Sequence, residues 1–205
     1  MGGQQITMHV EELIEQAKHV RNSIDTMNYW YEKKPRGNAS PTIAAAQAAL
    51  SHSVAITRLI WPNPPSRDRD GNKLTGEPLD RHRWIIDRGK MMRRIVGPVD
   101  EQTWILGNRR LRNAYEHFDE YLDNFLFDID RGKRPNVIVD TGVLPRGAIR
   151  IDGEIPTYLR LLDPELWELS LIDEKVSLPQ LVKEVLTVDE RAREWLRLER
   201  LKPPE

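Results

Sequence analysis

Arg112 and His117 frame the segment Arg112-Asn113-Ala114-Tyr115-Glu116-His117, and the two side chains offer complementary chemistry. A histidine has a reference pKa of about 6.5, so it gives or takes a proton near neutral pH. A guanidinium keeps its charge and presents a fork of donors to an anion. Asn113 adds an amide that both donates and accepts. The spacing predicts one long helix over residues 101–131. Its buried stripe is Leu111, Tyr115, Phe118, Leu122, Phe125 and Ile129. On that helix Arg109, Arg112, Asn113, Glu116 and His117 fall opposite the stripe within an arc of about 140°. A charged arc is the ordinary solvated side of an amphipathic helix. The same arc holds the parts of a site for proton transfer and anion stabilisation.

The elements that must carry these residues are mostly helical. Val10, Leu13, Ile14, Ala17, Val20, Ile24, Met27 and Tyr31 keep helical spacing from Thr7 to Tyr31. A turn over 34–39 leads to Ser40-Pro41, an N-cap followed by proline, and a second helix that runs to Trp61. Residues 62–77, rich in proline, glycine and charge, read as a loop. In it Asp68-Arg69-Asp70-Gly71 resembles half a calcium loop without the remaining oxygen ligands. A third helix spans Leu79 to Val96 and stops at Gly97-Pro98.

After Pro135 the period turns to alternation. Strands are expected over 136–139, 158–162 and 166–172, the last two joined as a hairpin at Asp163-Pro164-Glu165. Trp167, Leu169 and Leu171 then share the covered face, with Glu168 and Ser170 on the open one. Ser177-x-x-Gln180 is a capping-box pattern opening a final helix that Pro203-Pro204 stops. The expected fold is mainly α: an antiparallel four-helix bundle over 1–134, then a small antiparallel β element and a final helix over 135–205 packed on the bundle.

Composition narrows the chemistry. With 39% hydrophobic and 31% charged residues in a chain of 205, the sequence is that of a globular domain able to bury a core. The absence of cysteine excludes disulfides, thiolate metal sites and a cysteine nucleophile. Five histidines without ligand spacing give no expectation of a metal or another cofactor. No basic segment followed by an apolar one opens the chain, so a cytoplasmic protein without membrane association is expected. The net charge of −1 conceals an asymmetry: nine Arg or Lys against three acids from Arg81 to Arg112, then fourteen acids against six bases from Asn113 to Glu174. A basic middle suits a polyanion, and it equally suits a helix surface paired with the acidic segment.

The segment from Arg112 to His117, with Asn113 in second place, resembles the Arg-polar-x-x-x-His motif of the HEPN superfamily of helical-bundle domains, many of them ribonucleases. The run His117-Phe-Asp-Glu-Tyr-Leu-Asp123 resembles the residues C-terminal to that motif in members of the superfamily, and the strand-strand-helix tail resembles their endings. The resemblance implies a metal-independent endoribonuclease acting on RNA as a homodimer, its motif helices facing across a two-fold axis. Toxin or antiphage-defence types, some with an antitoxin or regulatory protein as partner, belong to the same company. On this view His117 is the general acid or base and Arg112 the electrostatic stabiliser. Asn113 orients the imidazole or binds phosphate; Arg109, Arg110 and Glu116 are the candidate RNA-binding residues, the two arginines equally suited to a plain surface role and Glu116 spaced to pair with Arg112. The alternative is a non-catalytic HEPN-type bundle that binds RNA, a nucleotide or a protein. A third is a helical interaction protein in which the motif is accidental.

Overall fold

The computed structural model describes residues 2–33, 39–97, 101–134, 138–151, 153 and 155–201, apart from the side chains of Leu111 and Ile138. Most of the expected turn over 34–39, the first residues of the strand over 136–139 and the stop signals Pro98, Pro203 and Pro204 lie outside these residues. The elements run α1 (Gly3–Lys33), α2 (Ser40–Ile60), α3 (Gly76–Val96), a 3-10 turn (Ile105–Gly107), α4 (Arg109–Glu116) and α5 (Phe118–Asp130). They continue as β1 (Ile138–Val143), β2 (Thr157–Asp163), β3 (Glu168–Leu171), β4 (Glu174–Ser177) and α6 (Leu178–Arg200). The chain is mainly helical, with a small four-stranded sheet and a final helix. α2 has the length and hydropathy of a bilayer span, yet 61% of that stretch is buried, as in a core helix.

Three expectations are corrected. The helix expected over 101–131 is a 3-10 turn followed by two helices, α4 and α5. Gly107 explains the first interruption: a Cβ there would collide with the backbone of Glu101, so the chain must fold back on itself before α4. The β element is mixed, because β1 pairs parallel with β2 while β2–β3 and β3–β4 are antiparallel, in the order β1-β2-β3-β4. The strand expected over 166–172 is shorter and is covered on both faces. Leu169, Ser170 and Leu171 are all buried. Trp167 instead closes the preceding turn in the left-handed region, at φ 49°.

The chain divides into two compact units, and the division passes through α1, α2 and α6. The first comprises Met1–His19, His52–Gly107 and Glu184–Glu205. Val10, Leu13, Ala17, Ile56, Ile60, Met92, Val96, Val185 and Val188 form its apolar centre. Its helix ends are closed by arginines. Arg88 and Arg93 donate to the carbonyls of Arg58 and Ile60 at the end of α2, and Arg191 donates to the Val96 carbonyl at the end of α3. Those carbonyls have no partner within their own helices, and a cation there also meets the negative end of the helix dipole. The buried Glu184 carboxylate accepts the amides of Ile105 and Leu106, each at 3.0 Å, and the Thr57 hydroxyl donates to the Leu106 carbonyl at 2.5 Å. In the same unit the His19 and His52 rings stack with centroids 4.8 Å apart, and His52 Nδ1–H donates to Gln16 Oε1 at 2.8 Å.

The second unit comprises Val20–Ser51 and Asn108–Lys183. Its centre includes Met27, Leu50, Phe125, Leu161, Leu162, Leu169, Leu171 and Leu181. The buried Asp163 carboxylate accepts the amides of Arg146, Glu165 and Leu166 and so organises the residues on either side of β2. The β3–β4 connection is Ile172-Asp173. Ile172 is buried at φ 53° and donates its amide to the Leu159 carbonyl, while Arg134 grips both oxygens of Asp173 at 3.0 and 2.6 Å. At the start of α6 the Gln180 amide donates to Ser177 Oγ at 3.4 Å, the cap that the Ser-x-x-Gln pattern implies.

Replacing Glu184 by Gln leaves one of the two amides without its charged acceptor. It is expected to lower the unfolding free energy by about 1–3 kcal/mol in urea denaturation. Burial first, and then the charge of His19, hold His52 below the ordinary histidine value of 6.5. The folded protein therefore favours the neutral imidazole, and its contribution is whole above pH 6.5 and lost as pH falls through the lower folded value. The melting temperature is expected to fall between pH 7 and pH 5, and His52→Gln is expected to flatten that fall.

Candidate functional site

The motif residues lie in the second unit on α4 and at its junction with α5. Asn108 begins α4 as an N-cap: its Oδ1 accepts the Arg110 amide at 3.0 Å and its carbonyl accepts the Arg112 amide at 3.2 Å. No proline or glycine lies between Arg109 and Asp130, so nothing in composition marks a break there. The break falls on His117, at φ −122° and ψ 42°. It is local. The His117 amide still donates to the Asn113 carbonyl at 2.8 Å, and the His117 carbonyl still accepts the Tyr121 amide at 3.2 Å. Each side of the break has its own anchor: α4 packs beside β4 and buries Ala114, while α5 buries Phe125. A small residue and a large one, fixed against different surroundings, need not share one helix axis.

Arg109 and Arg110 occupy the exposed first turn of α4, and Arg110 pairs with Glu174 of β4 at 2.9 Å. Arg112 and Glu116 are half-buried, and Asn113 and His117 are exposed. His117 Nδ1 lies 3.5 Å from Glu120 Oε1 in the first turn of α5. Among the described residues no hydrogen bond joins the side chains of Arg112, Asn113 and His117, and Arg112 makes no ion pair, the one expected with Glu116 included. The motif is thus gathered along one bent stretch of backbone, bridged by the bond from His117 to Asn113, without a preformed side-chain pair. In a straight helix Arg112 and His117 would point about 140° apart. The break removes that fixed relation.

Two residues that spacing did not reveal adjoin this stretch. Arg160 of β2 sets its guanidinium 4.5 Å from the Phe118 ring and pairs with Asp140 at 2.6 Å. Glu174 holds Arg110. Neither carries a local signal. Arg160 and Asp140 lie on strands that pair in parallel, with Thr141 opposite Arg160, and parallel pairing of these strands is invisible in their alternation.

Part of the basic middle of the sequence is engaged within the protein. Arg88 and Arg93 serve main-chain carbonyls, Arg83 and Lys90 pair with Asp80 and Asp87, and Arg110 pairs with Glu174. Charge counted along the chain therefore overstates the cations open to a phosphate backbone. What the α4–α5 stretch offers is compact: an exposed imidazole, an exposed carboxamide and a permanent cation with no ion-pair partner among the described residues. Together these can move a proton and steady a growing negative charge.

Asn108→Ala removes the cap that starts α4. It is expected to cost about 0.5–2 kcal/mol and to speed hydrogen exchange at the Arg110 amide, whereas Asn108→Asp should retain protection. Comparisons of the chain with protein-family models, with curated proteins and with solved structures find no match.

Proposed function

We propose that the protein is a metal-independent endoribonuclease of HEPN type, its helices forming a HEPN-like bundle and two copies completing each site across a two-fold axis. The observation that carries this reading is the placement of Arg112, Asn113 and His117 on one bent helical stretch with the imidazole open to solvent. Among the described residues of a single copy no hydrogen bond joins the side chains of Arg112, Asn113 and His117, and a second copy would bring another imidazole and another guanidinium to the same place. Toxin or antiphage defence, with a neutralising protein as partner, is the biological setting that goes with this reading.

The chemistry asks for little more than these groups. The 2′-hydroxyl of the substrate loses its proton to a neutral His117 as O2′ forms a bond to the adjacent phosphorus. The P–O5′ bond breaks, and the departing oxygen takes a proton from a protonated His117, that of the other copy in a composite site. The products are a 2′,3′-cyclic phosphate and a 5′-hydroxyl. Arg112 donates to the equatorial oxygens as charge accumulates on them, and Asn113 hydrogen-bonds a phosphate oxygen or the imidazole.

Labelled single-stranded and structured RNAs incubated with the protein in excess chelator are expected to yield fragments with cyclic phosphate ends. His117→Ala should reduce cleavage by about 10²–10⁴-fold and Arg112→Ala by about 10²–10³-fold, both with unchanged circular dichroism. RNA binding without cleavage by the parent protein would assign the stretch to a non-catalytic RNA-binding bundle. Cleavage untouched by either substitution would remove the site from these residues.

A further inference from the structure

A cavity lies in the first unit, where the loop after α2 folds against the start of α3. Its volume is about 440 Å³, within the size range of small-molecule sites. The loop is held in shape from within. Asp68 Oδ1 accepts the amides of Asp70 and Asn72 at 3.0 and 2.7 Å, and Arg67 donates to the Gly71 carbonyl at 2.7 Å. One strut joins the loop to the helix: His82 Nδ1 lies 2.9 Å from the Pro65 carbonyl. A carbonyl only accepts, so Nδ1 carries the proton, and in the neutral ring Nε2 is left as an acceptor.

The walls are apolar, formed by Leu74, Pro78, Ile85 and the prolines of the loop, which bring no amide donors. Two opposite charges line the same cavity. Glu77 and Arg81 are four residues apart on one face of α3, yet among the described residues neither forms an ion pair or a side-chain hydrogen bond, with the other or with a third residue. An i,i+4 pair with the acid N-terminal to the base is spaced to close on itself. Here the charges stay apart beside an apolar hollow. A phosphorylated or otherwise polyanionic ligand would meet Glu77, and an uncharged apolar one would leave both charges idle.

We propose that this cavity binds a small zwitterion with an apolar or aromatic side chain, of the class of free apolar α-amino acids. The carboxylate pairs with Arg81 and the ammonium with Glu77. His82 Nε2 accepts a further hydrogen bond from the ammonium, and the side chain rests against Leu74, Pro78 and Ile85. The site is independent of the chemistry assigned to the α4–α5 stretch.

Isothermal titration of the full chain with L-tryptophan, L-tryptophanamide and N-acetyl-L-tryptophan tests this directly. L-tryptophan is expected to bind saturably, with the amide and the N-acetyl form each weakened about tenfold or more, since each loses one charge-assisted contact. Glu77 and Arg81 are exposed, so Glu77→Gln and Arg81→Gln should fold as the parent does. Arg81→Gln should weaken L-tryptophan and the N-acetyl form while sparing the amide, and Glu77→Gln should weaken L-tryptophan and the amide while sparing the N-acetyl form. No saturable binding of L-tryptophan, L-phenylalanine or L-leucine at millimolar concentration overturns the proposal. So does binding that neither substitution alters, or an amide that binds as well as the free amino acid.

Discussion

A carboxylate taken out of water needs hydrogen-bond donors in place of the solvent it loses, and each unit of this protein meets that demand with main-chain amides. In the first unit Glu184 takes the consecutive amides of Ile105 and Leu106, and Thr57 takes the carbonyl of Leu106. In the second, Asp163 takes the amides of Arg146, Glu165 and Leu166. Irregular backbone is expensive to bury because its polar groups lack the partners a helix or ladder would supply. A buried acid solves both problems at once, satisfying several amides while the amides satisfy it. The arginines at the ends of α2 and α3 do the complementary service for carbonyls. These five charged side chains thus serve to finish backbone that helices and ladders leave open.

The parts of the fold that are legible from residues are those with strong local signals. The Ser-x-x-Gln pattern marks the start of α6, Gly97 the end of α3, and helical spacing the existence of α1, α2 and α3. The interruption at Gly107-Asn108 has a signal, a glycine followed by an N-capping residue, that the apolar periodicity around it outweighs. The break at His117 has none, since no proline or glycine lies near it and the backbone hydrogen bonds run on across it. Strand direction is hidden for a different reason. Alternation reports which face a residue takes and says nothing of whether its neighbour runs parallel. Ser170 shows the limit even of faces: a polar residue expected in solvent is buried, with its hydroxyl bonded to Arg146.

The candidate site is legible as residue types and spacing, and less so as geometry. Arg112, Asn113 and His117 do lie on one helical stretch, but the bend at the histidine leaves no mark in the sequence. The cation of Arg160 against Phe118 comes from a strand that no spacing rule connects to the motif. The charge asymmetry around the motif is real as arithmetic and overstates the open cations, because Arg88 and Arg93 are turned to main-chain carbonyls and Arg83, Lys90 and Arg110 have acidic neighbours. The cavity beside α3 escapes sequence reading because it depends on a loop folding back on a helix, and a proline-rich loop has no periodicity to read.

Ile172 shows how a local penalty can secure a larger choice. A β-branched residue in the left-handed region sits where glycine would be at ease, and such conformations cost about 1–3 kcal/mol. The side chain is buried, its amide is bonded to Leu159, and the next residue is clamped by Arg134. Were the two strands to slide by one position, Asp173 would enter an apolar site, Arg134 would lose its bidentate partner, and the isoleucine would be driven into water. Misaligned hairpins are therefore penalised three times over, while the aligned one bears a single strained residue. The connection thereby sets the register of the β3–β4 pairing more firmly than a glycine turn, which would accept the same conformation without strain and without a buried side chain to hold it in place.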